Sequence, residues 1–212
     1  MKIDRAGAPF IVGALAPAAA LLALRKPKYA LPFAALAGFM AYFFRDPDRR
    51  VPAHDEAAVV SPADGEVMVA GAGEPDVAPP GDWKQISIFL SPIDVHINRI
   101  PYGGRVTRIE YQPGQFLPAY KAESGAVNER NEVWIERDGR TVVARQVVGV
   151  LARRIVCRIT AGDAVMTGQR FGLMKFGSRM DVFVPPEARL TVSAGQKVRG
   201  GESILARFEE SR

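Results

Sequence analysis

The chain has 212 residues, 48% of them hydrophobic, which suits one compact body with an appendage. Its formal net charge of +5 sits in the N-terminal quarter, where residues 1–50 carry eight Lys or Arg against three Asp while the rest balances at twenty against twenty. That distribution excludes the basic stripe of a nucleic-acid-binding body and suits an anionic membrane surface, and one cysteine with two histidines excludes a disulfide framework or a Cys/His metal cluster.

Residues 6–24 carry no charge, and after Arg25, Lys26 and Lys28 a second uncharged stretch runs from Tyr29 to Phe44. Two apolar helices joined by a basic turn are expected, each close to or below the roughly 20 residues that span a bilayer. Arg45, Arg49 and Arg50 close the second stretch, so residues 1–50 read as an uncleaved anchoring segment, spanning or interfacial, rather than a signal peptide. Lys2, Arg5 and the arginines after Phe44 would then lie together on the cytoplasmic side.

From residue 51 onward the punctuation changes. Short runs rich in Val and Ile recur between Gly, Pro and Asp: Ala58 to Val60, Glu66 to Val69, Gln85 to Leu90, Arg105 to Tyr111, Glu132 to Arg137, Thr141 to Val148 and Arg154 to Ile159. This is strand spacing, and it makes residues 51–212 a mainly β domain, a compact sandwich or barrel with a carrier-like strand, Gly-turn, strand rhythm after Leu190. Asp138-Gly139 predicts a two-residue hairpin turn. Residues 113–131 predict a long loop, either covering a site or merely solvated. Cys157 reads as a small core hydrophobe and His54 as a solvated linker residue.

Four segments set polar, Gly or Pro residues directly against apolar runs: Phe43-Phe-Arg-Asp-Pro-Asp-Arg49, Ser61-Pro-Ala-Asp-Gly-Glu-Val67, Leu90-Ser-Pro-Ile-Asp-Val-His-Ile-Asn-Arg-Ile-Pro101 and Phe171-Gly-Leu-Met-Lys-Phe-Gly-Ser-Arg-Met-Asp181. Each alone is an ordinary turn or strand end; Asp64 reads as a turn aspartate and His96 as a histidine satisfied by a backbone carbonyl. Together and in order they resemble phosphatidylserine decarboxylase proenzymes of the short, archaeal type, over Phe43 to the C-terminus.

The resemblance implies self-cleavage between Gly177 and Ser178 into a large chain, 1–177, and a small chain, 178–212, which stay together as a heterodimer. It implies attack by the Ser178 oxygen on the preceding carbonyl, elimination from the resulting ester, and hydrolysis to a pyruvoyl group, the enzyme's covalent cofactor. That ketone condenses with the amine of phosphatidylserine and takes up the electron pair freed as CO2 leaves, giving phosphatidylethanolamine. No metal is implied. Asp64 and His96 match the family's acidic and basic residues and would complete a Ser, His, Asp relay. Long-type members carry a second histidine where this chain has Arg99, which leaves open whether His96 alone serves both reactions or whether Arg99 or Asn98 orients substrate.

Arg45 and Arg49 are candidates to grip the lipid phosphate, with a basic membrane edge or pairing to Asp46 or Asp48 as the alternative. Lys175 and Arg179 flank the cut and could face headgroups. The expected setting is the inner membrane, with the lipid substrate and the membrane surface as partners. Three rival readings remain: a membrane-anchored, lipoyl-like adaptor without catalysis, a pyruvoyl enzyme acting on a soluble substrate, and a Ser-His-Asp hydrolase. The last lacks a Gly-x-Ser-x-Gly elbow around Ser178.

Overall fold

The computed structural model describes residues 2–52, 55–150, 154–175 and 178–209. The chain divides into two compact units, residues 1–48 and 49–212. In the first, strand β1 (Lys2–Ile3) pairs antiparallel with β2 (Arg45–Asp46), which brings together the two ends of a helical hairpin formed by α1 (Ala8–Ala23) and α2 (Pro27–Phe43). Pro9 and Pro27 sit in the first turns, where a missing N–H costs nothing. Ala14, Ala18, Ala30, Ala37 and, at the end of α2, Phe43 are buried, while Leu15, Leu22, Leu31 and Leu36 point outward. Residues Arg5–Ala23 are long and apolar enough to cross a membrane by length and composition, with mean hydropathy 1.8 over 19 residues.

The second unit is mainly β, as its Val/Ile runs predict. In chain order its elements are β3 (Ala58–Val60), β4 (Gly65–Ala72), β5 (Lys84–Leu90), β6 (Ile97–Arg99), β7 (Gly104–Gln112), helical turn α3 (Ser124–Val127), β8 (Arg130–Arg137), β9 (Arg140–Val148), β10 (Ile155–Cys157), β11 (Ala164–Val165), β12 (Arg170–Met174), β13 (Ser178–Val184), β14 (Arg189–Leu190), β15 (Lys197–Val198) and β16 (Ile204–Arg207). Eight form one curled antiparallel sheet in the order β11-β7-β8-β9-β13-β5-β4-β15, and two three-stranded sheets, β10-β12-β6 and β14-β16-β3, complete the body.

The core lies on one face of the large sheet. Ile86 and Ile88 of β5, Met180, Val182 and Val184 of β13, Val142 and Ala144 of β9, and Val133 and Ile135 of β8 point there, at the two-residue spacing that puts alternate side chains on one face. A smaller cluster, Val77, Val143 and Phe183, covers the other face. The Asp138-Gly139 hairpin is as expected: both residues have positive φ, 52° and 73°, which a type I′ turn needs. The expected loop over 113–131 is shorter than the sequence suggests, because α3 occupies its middle and Arg130 and Asn131 already belong to β8.

Four strands of the second unit lie outside the expected runs, β6, β11, β12 and β13. The last is central to the sheet and wholly buried. Arg179 and Asp181 disguise it, since charged residues at alternate positions signal a solvated face. Here they neutralise one another inside the protein, with Arg179 Nε 2.6 Å from Asp181 Oδ1.

Candidate active site

Ser178 opens β13 and is paired on both sides, with Leu90 of β5 and Val148 of β9. Its even-numbered neighbours Met180 and Val182 point into the core, so its side chain belongs to the inner face. Ser178 is 0% exposed, and its Oγ is a buried hydroxyl with no hydrogen-bond partner in the structure. A buried polar atom left so costs stability, which is why such atoms are rare away from sites of function. Gly177, the other half of the expected cleavage pair, lies outside the described residues, as does His54.

The register of four strands places His96 between the end of β5 and the start of β6. β5 ends at Leu90 opposite Ser178, and β6 begins at Ile97 opposite Leu173 of β12. Residues 91–96 therefore form a bridge from the end of β5, beside Ser178, to the start of β6, beside β12. A turn starts that bridge: the Asp94 carboxylate accepts from both the Ser91 N–H at 2.8 Å and the Ser91 hydroxyl at 2.6 Å. The imidazole of His96 is 1% exposed and its Nδ1 lies 3.0 Å from the Asp94 carbonyl oxygen. A carbonyl only accepts, so Nδ1 carries the proton in this contact and Nε2 is the basic nitrogen of the neutral ring.

Asp64 is placed differently. Its carboxylate receives the Arg49 guanidinium, at 2.9 and 2.7 Å, and the Gly200 N–H at 2.8 Å. Gly65 after it is required by close approach, because a Cβ there would overlap the Phe89 carbonyl. Asp64 thus meets Arg49 and Gly200, while the Nδ1 of His96 meets a backbone carbonyl. Arg49 is engaged by Asp64 and, at 3.5 Å, by Glu202, rather than by the neighbouring Asp46 or Asp48 foreseen as structural partners. The Arg50 N–H donating to Glu202 holds that carboxyl below its usual range, with Arg49 and Arg199 adding to the effect against partial burial.

Asn98 is fully buried on β6. The Gln146 amide donates to its Oδ1 at 2.9 Å, and Gln146 Oε1 accepts from Asn131 Nδ2 at 3.1 Å. The Val156 carbonyl, 3.4 Å from Gln146 Nε2, fixes which way that amide faces, because it too only accepts. Asn98 Nδ2 is left as a second buried polar atom without a partner on the inner face. Gln146 stands opposite Met180, one same-face step from the row that holds Ser178. Sequence reasoning missed it, although a lone amide at an inward position between Ala144 and Val148 is a readable signal.

Of the remaining candidates, Arg99 donates to the Gly168 carbonyl at 3.1 Å and is 5% exposed. Lys175 is half-buried, just before the undescribed pair of residues. Arg45 belongs to the first unit, where its guanidinium stacks 3.8 Å from the Tyr42 ring centroid and donates to the Tyr42 carbonyl at 2.8 Å. Arg179 does not face headgroups: it is buried on the outer face, held by Asp181, by the Ser87 hydroxyl at 3.0 Å and by Glu74 at 3.7 Å. Among the described residues no three His, Cys, Asp or Glu side chains gather as a metal site.

The sequence pattern of the phosphatidylserine decarboxylase family matches residues 36–206. The chain is 45% identical over 207 residues to the phosphatidylserine decarboxylase proenzyme of Solibacter usitatus, covering 98% of this chain and 97% of that protein. It is 40% identical over 209 residues to the proenzyme of the same name from Syntrophus aciditrophicus, covering 97% of each. A third such proenzyme, from Erythrobacter litoralis, is 44% identical over 218 residues, covering 95% of this chain and 85% of that one.

Proposed function

Because this chain belongs to the phosphatidylserine decarboxylase family and is a carboxy-lyase, we propose that it makes its own pyruvoyl cofactor by cutting itself between Gly177 and Ser178 and then converts phosphatidylserine to phosphatidylethanolamine. The observation that carries this reading is the Ser178 hydroxyl, buried, unpartnered and held at the head of the central strand.

His96 Nε2 takes the proton of the Ser178 hydroxyl while the Asp94 carbonyl keeps Nδ1–H in place. The oxygen adds to the Gly177 carbonyl, the peptide C–N bond breaks, and the proton passes to the departing Ser178 nitrogen, leaving an ester. Loss of the Ser178 α-proton expels the Gly177 carboxylate and leaves a dehydroalanine. Hydrolysis then releases ammonia and leaves a pyruvoyl end on residues 178–212. The ketone so formed supplies the electron sink for decarboxylation. In that reaction His96 holds the proton to be returned to the substrate carbon, and the spare amide donor of Asn98 is available to the substrate's polar head.

Asp64 supports the site by a different route from a direct relay. Joined to Arg49 and Gly200, it ties the 61–65 turn to the linker before β3 and to the turn at Gly200-Gly201, and Arg99 is fixed beside both through its N–H to the Pro62 carbonyl at 2.8 Å. Arg49 is accordingly assigned to this clamp. The apolar α1–α2 hairpin serves as the membrane anchor, with its outward leucines toward lipid.

Intact-mass spectrometry of the purified protein tests this. The expected result is two chains broken after Gly177, the smaller beginning with a pyruvoyl group and lacking an amino terminus. One unmodified chain in an active preparation overturns it. The relatives are decarboxylases, which leaves the non-catalytic carrier reading without support.

A further inference from the structure

The two edges of the large sheet differ in what they show to solvent. Leu90 at the end of β5, Val148 at the end of β9, Arg130 at the start of β8 and Gln112 at the end of β7 all lie at the edge where β13 begins with Ser178. Among the described residues of the second unit, seven large apolar or aromatic side chains are exposed, and six belong to this edge: Ile93, Tyr111, Phe116, Tyr120, Val127 and Val150. Tyr111 lies near the end of strand β7 and the others come from the three separate connections following β5, β7 and β9, so no single loop accounts for them. The seventh, Met166, is at the other edge, where Val165 pairs with Gly104 at the start of β7.

We propose that this Ser178 edge of the β body is itself a lipid-contacting surface, which settles into the headgroup region of a bilayer and receives the acyl chains of the substrate. The proposal rests on the reading of Ser178 as the reacting residue. A diacyl phospholipid whose head must reach a buried serine still carries two chains that water rejects, and the apolar rim gives them somewhere to lie. The make-up of the rim fits a membrane interface rather than a protein partner's dry core. Tyr111 and Tyr120 combine an apolar ring with a polar tip, as interfacial belts do, and Lys121 beside Tyr120 is exposed with a stem long enough to reach back to phosphates. The rim is also coupled to the reacting strand: the Tyr120 ring meets Phe89 edge-on, centroids 6.1 Å apart, and Phe89 pairs with Arg179.

The test uses the full chain on vesicles of phosphatidylserine and phosphatidylcholine, the latter brominated along its acyl chains. Tyr120→Trp, Val150→Trp and, at the other edge, Met166→Trp are each compared with the parent protein. Emission added at 120 and 150 is expected to drop by about half, as for side chains a few ångströms inside the interface, and emission at 166 to stay unchanged. Equal quenching at both edges, or none at 120 and 150, overturns the proposal. As a second reading, Ile93→Ser with Tyr120→Ser is expected to lower turnover on vesicles relative to turnover on monomeric short-chain phosphatidylserine by about tenfold; an unchanged ratio also overturns it. Failure of the underlying reaction would show separately, as absence of the pyruvoyl end and of turnover on the monomeric substrate.

Discussion

Ser178 and Arg179 are neighbours on one strand, buried to the same degree, yet they face opposite sides of the sheet and are treated in opposite ways. The serine hydroxyl has no partner, while the guanidinium behind it is bound by Asp181, Ser87 and Glu74 and packed against Gly125. A group that is to react must be free of competing bonds, and a group that is free must be kept from wandering. The strand achieves both by placing the freedom on one face and the restraint on the other.

Three substitutions probe that division. Ser178→Ala is expected to abolish self-cleavage and to lower decarboxylation by at least about a thousandfold, seen as one uncut chain on a denaturing gel, while leaving thermal stability nearly unchanged because no hydrogen bond is lost. A fully active Ser178→Ala protein would sink the mechanism. His96→Ala is expected to slow processing by about a hundredfold or more, followed as the appearance of the small chain over time. Arg179→Ala gives the reverse pattern to Ser178→Ala: it leaves Asp181 buried without its counter-charge and is expected to cost about 3–5 kcal/mol in unfolding experiments. Equal stability losses in the two variants would erase the contrast.

The smallest effect concerns Glu202. Its folded pKa lies below the unfolded value of 4.5, so its contribution to stability is full above that value and is lost as pH falls through the folded pKa. Glu202→Gln should therefore show a flatter decline in melting temperature than the parent protein below about pH 4.5. Superimposable curves would detach this clamp from acid sensitivity.

How far the sequence could be read depended on whether a residue's partner was local. The Asp138-Gly139 turn and the seven Val/Ile runs depend on neighbours in the chain, and they appear in the structure within a few residues of their expected bounds. β13 was hidden because Arg179 and Asp181 are neutralised by each other and by Ser87, ninety-two positions away from Arg179, which no periodicity records. His96 stood out because the chain has so few histidines, but its orienting group, a backbone carbonyl at Asp94, leaves no mark on residue type. The bond of Asp64 to Arg49 depends on how the linker before β3 folds back, and only the tertiary structure supplies that.

The pairing of β13 has a further consequence for the life of the molecule. A cut ahead of Ser178 leaves a fragment whose strands are already woven into both halves of the fold: β13 between β5 and β9, β15 against β4, and β16 against β3. Dilution does not part such a complex, because separation means unravelling two sheets at once. Folding must come before the cut, since the fragment has no core of its own. On the proposed cleavage, the cut would work as a ratchet, and melting that is reversible for the uncut precursor would become a one-way loss for the cut protein.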